Sequence, residues 1–126
     1  MKFEENTPIY IQIMNYVKEK IINGNLKMGD KLPSVRELAE EIKVNPNTVQ
    51  RAYQELEREE IAYSKRGMGR FITEDTEKIE GLKKHMADVI VISFIEGMSK
   101  IGYNAKDMLD IIKENLEKGC NDGNNS

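Results

Sequence analysis

The chain has 126 residues, 39% hydrophobic and 33% charged, which suits one compact helix-rich domain with an appendage and excludes two large cores. No apolar run approaches the ~20 residues that span a bilayer, MKFEENTPIY lacks the apolar region of an export signal, and the single Cys120 closes no internal disulfide, so a cytoplasmic protein is expected. Net charge is −3, but unevenly spread: residues 1–72 hold 12 Lys/Arg against 11 Asp/Glu, and residues 73–126 hold 7 against 11.

From Pro8 to Asn23, Ile9, Ile13, Val17 and Ile21 fall on one stripe with Tyr10, Met14 and Ile22 beside it. This spacing predicts a first helix ending near Asn23-Gly24. Gly24-Asn25 and Gly29-Asp30 then punctuate a loop that returns to Leu32-Pro33. Ser34, with Glu37 three residues later, forms a capping-box pattern, and Val35, Leu38, Ala39 and Ile42 carry the helix it opens. After a short turn, Asn45 suits the cap of a third helix and Pro46 its first position, where no amide partner is needed. Val49, Ala52, Tyr53 and Leu56 are that helix's apolar face. Two helices joined so briefly read as a helix-turn-helix; the alternative for this stretch alone is a plain helical hairpin.

Residues 61–63 and 70–72 flank SKRGMG and predict two short strands around a glycine turn. A hairpin directly after the second helix of a helix-turn-helix is a wing. Within residues 61–72 there are three cations, Lys65, Arg66 and Arg70, and no anion. A solvated turn would account for the tip alone; close approach to a phosphate backbone accounts for cations and glycines together. The acidity of the whole chain does not forbid this, because charges beyond about 10 Å count little at 0.1 M salt.

From Asp75 the pattern lengthens, with Ile79, Leu82, Met86, Val89, Ile90, Ser93, Phe94 and Met98 at helical spacing and a stop at Lys100-Ile101-Gly102. Asn104, with Asp107 three residues on, opens a last helix carrying Met108, Leu109, Ile112 and Leu116. The stripe Leu82, Met86, Val89, Ile90 and Phe94 is too long for one short partner helix to cover, so a homodimer formed here is expected. The other arrangement is a long helix folded back on its own winged domain. The expected organisation is mainly α. A winged helix-turn-helix of three helices plus a hairpin spans 1–73, a two-helix dimerisation segment spans 74–118, and a disordered tail spans 119–126.

At these residues the chain resembles the GntR family of bacterial transcription regulators. The shared pattern is Leu32-Pro33-Ser34-x-Arg36-x-Leu38-Ala39, Val44-x-x-x-Thr48-Val49, Ala52, Leu56 and Gly67-x-Gly69-x-Phe71. The short C-terminal segment is similar to that of the YtrA subgroup, and the resemblance implies cytoplasmic homodimers whose genes often lie beside those of ABC transporters. It also implies that Arg36 contacts DNA and that Gly67 and Gly69 form a wing tip near the minor groove. The chain departs from the commonest pattern at Pro46, where many members carry an arginine, which bears on the operator sequence.

The DNA-binding set is therefore Ser34, Arg36, Asn45, Asn47, Thr48, Gln50, Arg51, Lys65, Arg66, Gly67 and Gly69. Asn and Gln suit adenine edges, Arg suits guanine, and Thr suits phosphate or a thymine methyl. No catalytic, metal or cofactor arrangement is present in the sequence: His85 is the only histidine, and Gly67-x-Gly69 lies in no βαβ unit. The expected partners are double-stranded operator DNA and a second copy, with no membrane and no small-molecule effector identified. The competing reading is a winged-helix adaptor that binds proteins instead of specific DNA.

Overall fold

The computed structural model describes residues 1–121, with side chains to residue 119. Helix α1 (Ile9–Ile22) buries Ile13, Met14, Val17 and Ile21. Ile9, expected on the same stripe, is 38% exposed because it opens the helix at the edge of the packed face. The Asn23 amide donates to Glu19 O at 2.9 Å, and Gly24 then takes φ +88°, where a glycine carries no steric penalty.

Helix α2 (Val35–Ile42) starts on the expected capping box. Ser34 Oγ accepts from the Glu37 amide at 3.0 Å, and the Glu37 carboxylate accepts from the Ser34 amide at 2.9 Å. Its end is made by Lys43, a non-glycine residue at φ +59°, with the Val44 amide closing onto Ala39 O at 3.0 Å. Helix α3 (Pro46–Arg58) begins with Asn45 Oδ1 accepting from the Asn47 amide at 2.7 Å. Its inward face, Val49, Ala52, Tyr53 and Leu56, is essentially inaccessible and packs against both α1 and α2. Burying a Leu- or Ile-sized side chain contributes about 1.5–3 kcal/mol, so this shared face is what makes three short helices one unit.

Strands β1 (Ala62–Lys65) and β2 (Gly69–Ile72) pair antiparallel, with Ala62 opposite Ile72, Tyr63 opposite Phe71, Ser64 opposite Arg70 and Lys65 opposite Gly69. Each strand reaches closer to the turn than the sequence pattern alone implies. The stretch before α2, read from sequence as loop, runs alongside β2: Lys31 bridges to Phe71, the Leu32 amide donates to Arg70 O at 2.8 Å, and the Ile72 amide to Asp30 O at 2.9 Å. The wing thus leans on a third segment.

The chain separates into two compact units, residues 1–84 and residues 85 onward. Helix α4 (Thr76–Lys100) opens on Asp75, whose Oδ1 accepts from the Glu77 amide at 3.1 Å. Its first turns belong to the first unit, where Leu82 is buried at 9% exposure. In the second unit, Gly102 turns the chain and Asn104 and Asp107 exchange hydrogen bonds of 2.9 and 3.2 Å to start α5 (Ala105–Asn121). Residues 119–121 are helical. Residues 122–126, the rest of the stretch expected as a tail, lie outside the described residues. No described helix is long and apolar enough to cross a membrane.

Candidate nucleic-acid interface

Helix α3 buries one face and so presents the other. Asn47, Arg51 and Gln54 are exposed, and Thr48 and Gln50 are half-buried at its flank. Asn47, Thr48, Gln50 and Arg51 fall in the first half of the helix because the Asn45 cap and Pro46 fix where it begins. Asn45 spends its carbonyl oxygen on the cap, and its amide NH2 has no partner among the described residues. Ser34 likewise commits its oxygen to the capping box while its hydroxyl hydrogen stays available. Arg36 is exposed in the first turn of α2 and takes no partner among the described residues.

Arg51 is not a free cation. Its guanidinium carbon lies 3.8 Å from the centroid of the Tyr10 ring, so the first turn of α1 holds it by cation–π stacking. Tyr10 was legible in the sequence only as a residue beside the α1 stripe.

The wing divides its cations by strand alternation, since successive side chains point to opposite faces. Tyr63, Lys65 and Phe71 share one face, with the Tyr63 and Phe71 rings 6.1 Å apart and the Lys65 ammonium 4.6 Å from the Phe71 centroid. Ala62, Ser64, Arg70 and Ile72 share the other, and Ala62 and Ile72 are buried there. Arg66 is exposed in the turn, which closes with the Met68 amide on Lys65 O at 2.9 Å. Gly67 takes φ +75° with open space around it, so its requirement is conformational. Gly69 combines φ +112° with contact: a Cβ there would stand 2.9 Å from Lys31 Cε.

Lys31 is a cation that the sequence reading passed over. It lies across the wing at Gly69, brought there by its bridge to Phe71. Nothing periodic marks it, because the pairing that places it is 40 residues distant in the chain. The first unit therefore exposes polar and cationic groups at the starts of α2 and α3 and at the hairpin, with backbone close to the surface at the tip. Arrays of that kind meet phosphates through cations and base edges through amides and guanidinium groups.

The residues expected from sequence to form a dimer are divided by burial. Leu82 is buried, Met86 and Phe94 are half-buried, and Val89 and Ile90 are 52% and 68% exposed. Val91, Ile92 and Ile95 extend the open apolar surface, and α5 exposes Leu109, Ile112 and Leu116.

Comparison with known proteins agrees with this geometry. A sequence profile described as bacterial regulatory proteins, gntR family, matches residues 9–72. YhcF, a helix-turn-helix-type transcriptional regulator of Bacillus subtilis, is 41% identical over 94% of this chain and 98% of its own length. The transcriptional repressor YtrA of the same organism is 46% identical over 74% of this chain and 76% of its own. A solved GntR family transcriptional regulator from Listeria monocytogenes superposes with a TM-score of 0.83 at 46% identity, covering 89% of this chain and 98% of that one. The DNA-binding domain of AraR, solved in complex with operator ORR3, covers 58% of this chain and 88% of its own with a TM-score of 0.52 at 26% identity.

Proposed function

The chain belongs to the gntR family of bacterial regulatory proteins, DNA-binding transcription regulators and not enzymes, and from that premise we propose that it is a repressor that occupies an inverted-repeat operator as a homodimer. The carrying observation is the first half of α3: Asn47, Thr48, Gln50 and Arg51 stand opposite a fully buried face, and the Asn45 cap sets where the helix begins. A rigid helix with amides and a guanidinium on its outer side is suited to the major groove. Lys65, Arg66 and the glycine tip then add phosphate contacts. Occupying a promoter needs no activating surface, which favours repression.

The apolar surface of the second unit supports the dimer. Val89 to Ile92 run along α4 with every side chain exposed, and α5 buries Met108 but leaves Leu109, Ile112 and Leu116 open. Soluble proteins seldom leave so much apolar surface open, and a twofold pairing covers it. A twofold protein reads two half-sites related by the same symmetry, which is why the operator is an inverted repeat. The resemblance to the YtrA subgroup extends the proposal to transporter genes as targets.

Selecting genomic fragments bound by the full-length protein, then titrating one of them against salt, tests this reading. The expected result is a shared inverted-repeat sequence and a log affinity that falls steeply with log salt. A protein that enriches no sequence and binds no duplex is instead the protein-binding adaptor.

A further inference from the structure

We infer that Arg70 is a positioning residue of the wing and not a DNA contact: paired with Glu57, it locks the hairpin onto the far half of α3 so that Lys65 and Arg66 are presented outward. The inference rests on the DNA-binding reading above. Strand alternation sends Arg70 to the same face as the buried Ala62 and Ile72, away from Lys65. Its cross-strand neighbour is Ser64.

Both strands end on one carboxylate. Ser64 Oγ donates to Glu57 Oε2, while Arg70 Nε lies 3.4 Å from Glu57 Oε1. That Nε is shielded from solvent and has no partner of strict hydrogen-bond geometry, so Glu57 is its only ion-pair partner among the described residues. Side-chain exposures of 21% for Arg70 and 26% for Glu57 put the pair at the edge of the interior, where screening is reduced.

The guanidinium also stands 5.4 Å from the Tyr53 centroid, one turn before Glu57 on α3. Tyr53 in turn donates its hydroxyl to Pro33 O at 2.8 Å, beside the Ser34 cap of α2. Wing, α3 and the start of α2 are thus tied through one chain of polar contacts. Of the three hairpin cations, one is turned inward to aim the other two.

The test uses full-length protein and a short genomic duplex selected by the unaltered chain, with affinity measured against salt. Arg70→Met keeps the stem and removes the charge. It should weaken binding about fivefold, the scale of a partly exposed ion pair, with the salt slope unchanged. Arg70→Lys should recover part of that loss. Glu57→Ala keeps every cation and removes an anion, so a purely electrostatic effect tightens binding whereas positioning weakens it. In hydroxyl-radical footprints, protection by the wing should fade in both variants while protection by α3 persists, a pattern that general unfolding does not produce. A fall of about 0.9 in the slope for Arg70→Met marks a phosphate contact and overturns the proposal. So does unchanged or tighter binding by Glu57→Ala. An unaltered chain that selects no duplex overturns the regulator reading first, and this proposal with it.

Discussion

The guanidinium of Arg51 is stacked on the ring of Tyr10, its carbon 3.8 Å from the ring centre, joining the middle of α3 to the first turn of α1. An unstacked arginine loses rotamer entropy each time it meets DNA; this one has lost much of it on folding. Tyr10→Ala should therefore weaken operator binding by about 0.5–1 kcal/mol, the worth of an exposed cation–π contact. Tyr10→Phe keeps the ring and should bind like the unaltered protein. Equal losses in both variants, measured by fluorescence anisotropy, would point to the phenol hydroxyl instead.

Arg36 is exposed and unpaired among the described residues, so its removal should cost the fold little, and any loss of operator binding reports a contact with DNA. If it takes a guanine in two hydrogen bonds, Arg36→Ala should lose roughly 1–3 kcal/mol and relax specificity at one base pair. Uniform weakening across a panel of single-base operator variants identifies a phosphate contact. A folded variant that binds unchanged excludes both roles.

Lys65 and Arg66 remain as the outward cations of the wing. Replacing both by Ala should reduce the slope of log affinity against log salt by about 1.8, if each neutralises one phosphate. An unaltered slope would mean the hairpin points away from the duplex.

Tyr53 is buried, and that burial pushes its hydroxyl above the ordinary tyrosine value of 10.0; Arg70 opposes the shift and the carboxylates of Glu41 and Glu37 add to it. The folded chain holds this proton where the unfolded chain releases it. Its contribution is therefore fully present below pH 10 and lost as pH rises beyond it. Tyr53→Phe leaves the Pro33 carbonyl without its 2.8 Å donor and should cost about 1–3 kcal/mol at neutral pH. The variant should also lose stability less steeply than the parent between pH 10 and 11 in urea titrations. Parallel alkaline limbs would show that another group governs them.

Ile90 is 68% exposed on α4, and an aspartate there keeps the helix soluble but cannot be buried against a second copy. Ile90→Asp should sediment as a monomer, with unchanged helical content and much weaker operator binding because the half-sites are no longer engaged together. A dimer surviving this change would move the interface elsewhere.

The sequence by itself determined the parts of this molecule that depend on neighbours within about four residues. The Ser34–Glu37 box, the Asn45 cap with Pro46 behind it, the buried faces of α1 and α3, and the Asn104–Asp107 start of α5 all follow from helical period and capping chemistry. The candidate DNA-facing residues of α3 were legible for the same reason, as the complement of Val49, Ala52, Tyr53 and Leu56. The tertiary structure alone decided what distant residues do to one another. It laid Lys31 across Gly69, set Tyr10 under Arg51, turned Arg70 inward to Glu57, and covered Leu82 while leaving Ile90 open. A periodic pattern says which face of an element is apolar, but it carries no information about which polar side chain of another element arrives beside it. Those meetings are set by how three helices and a hairpin close around one core, where contact is a property of space and not of spacing.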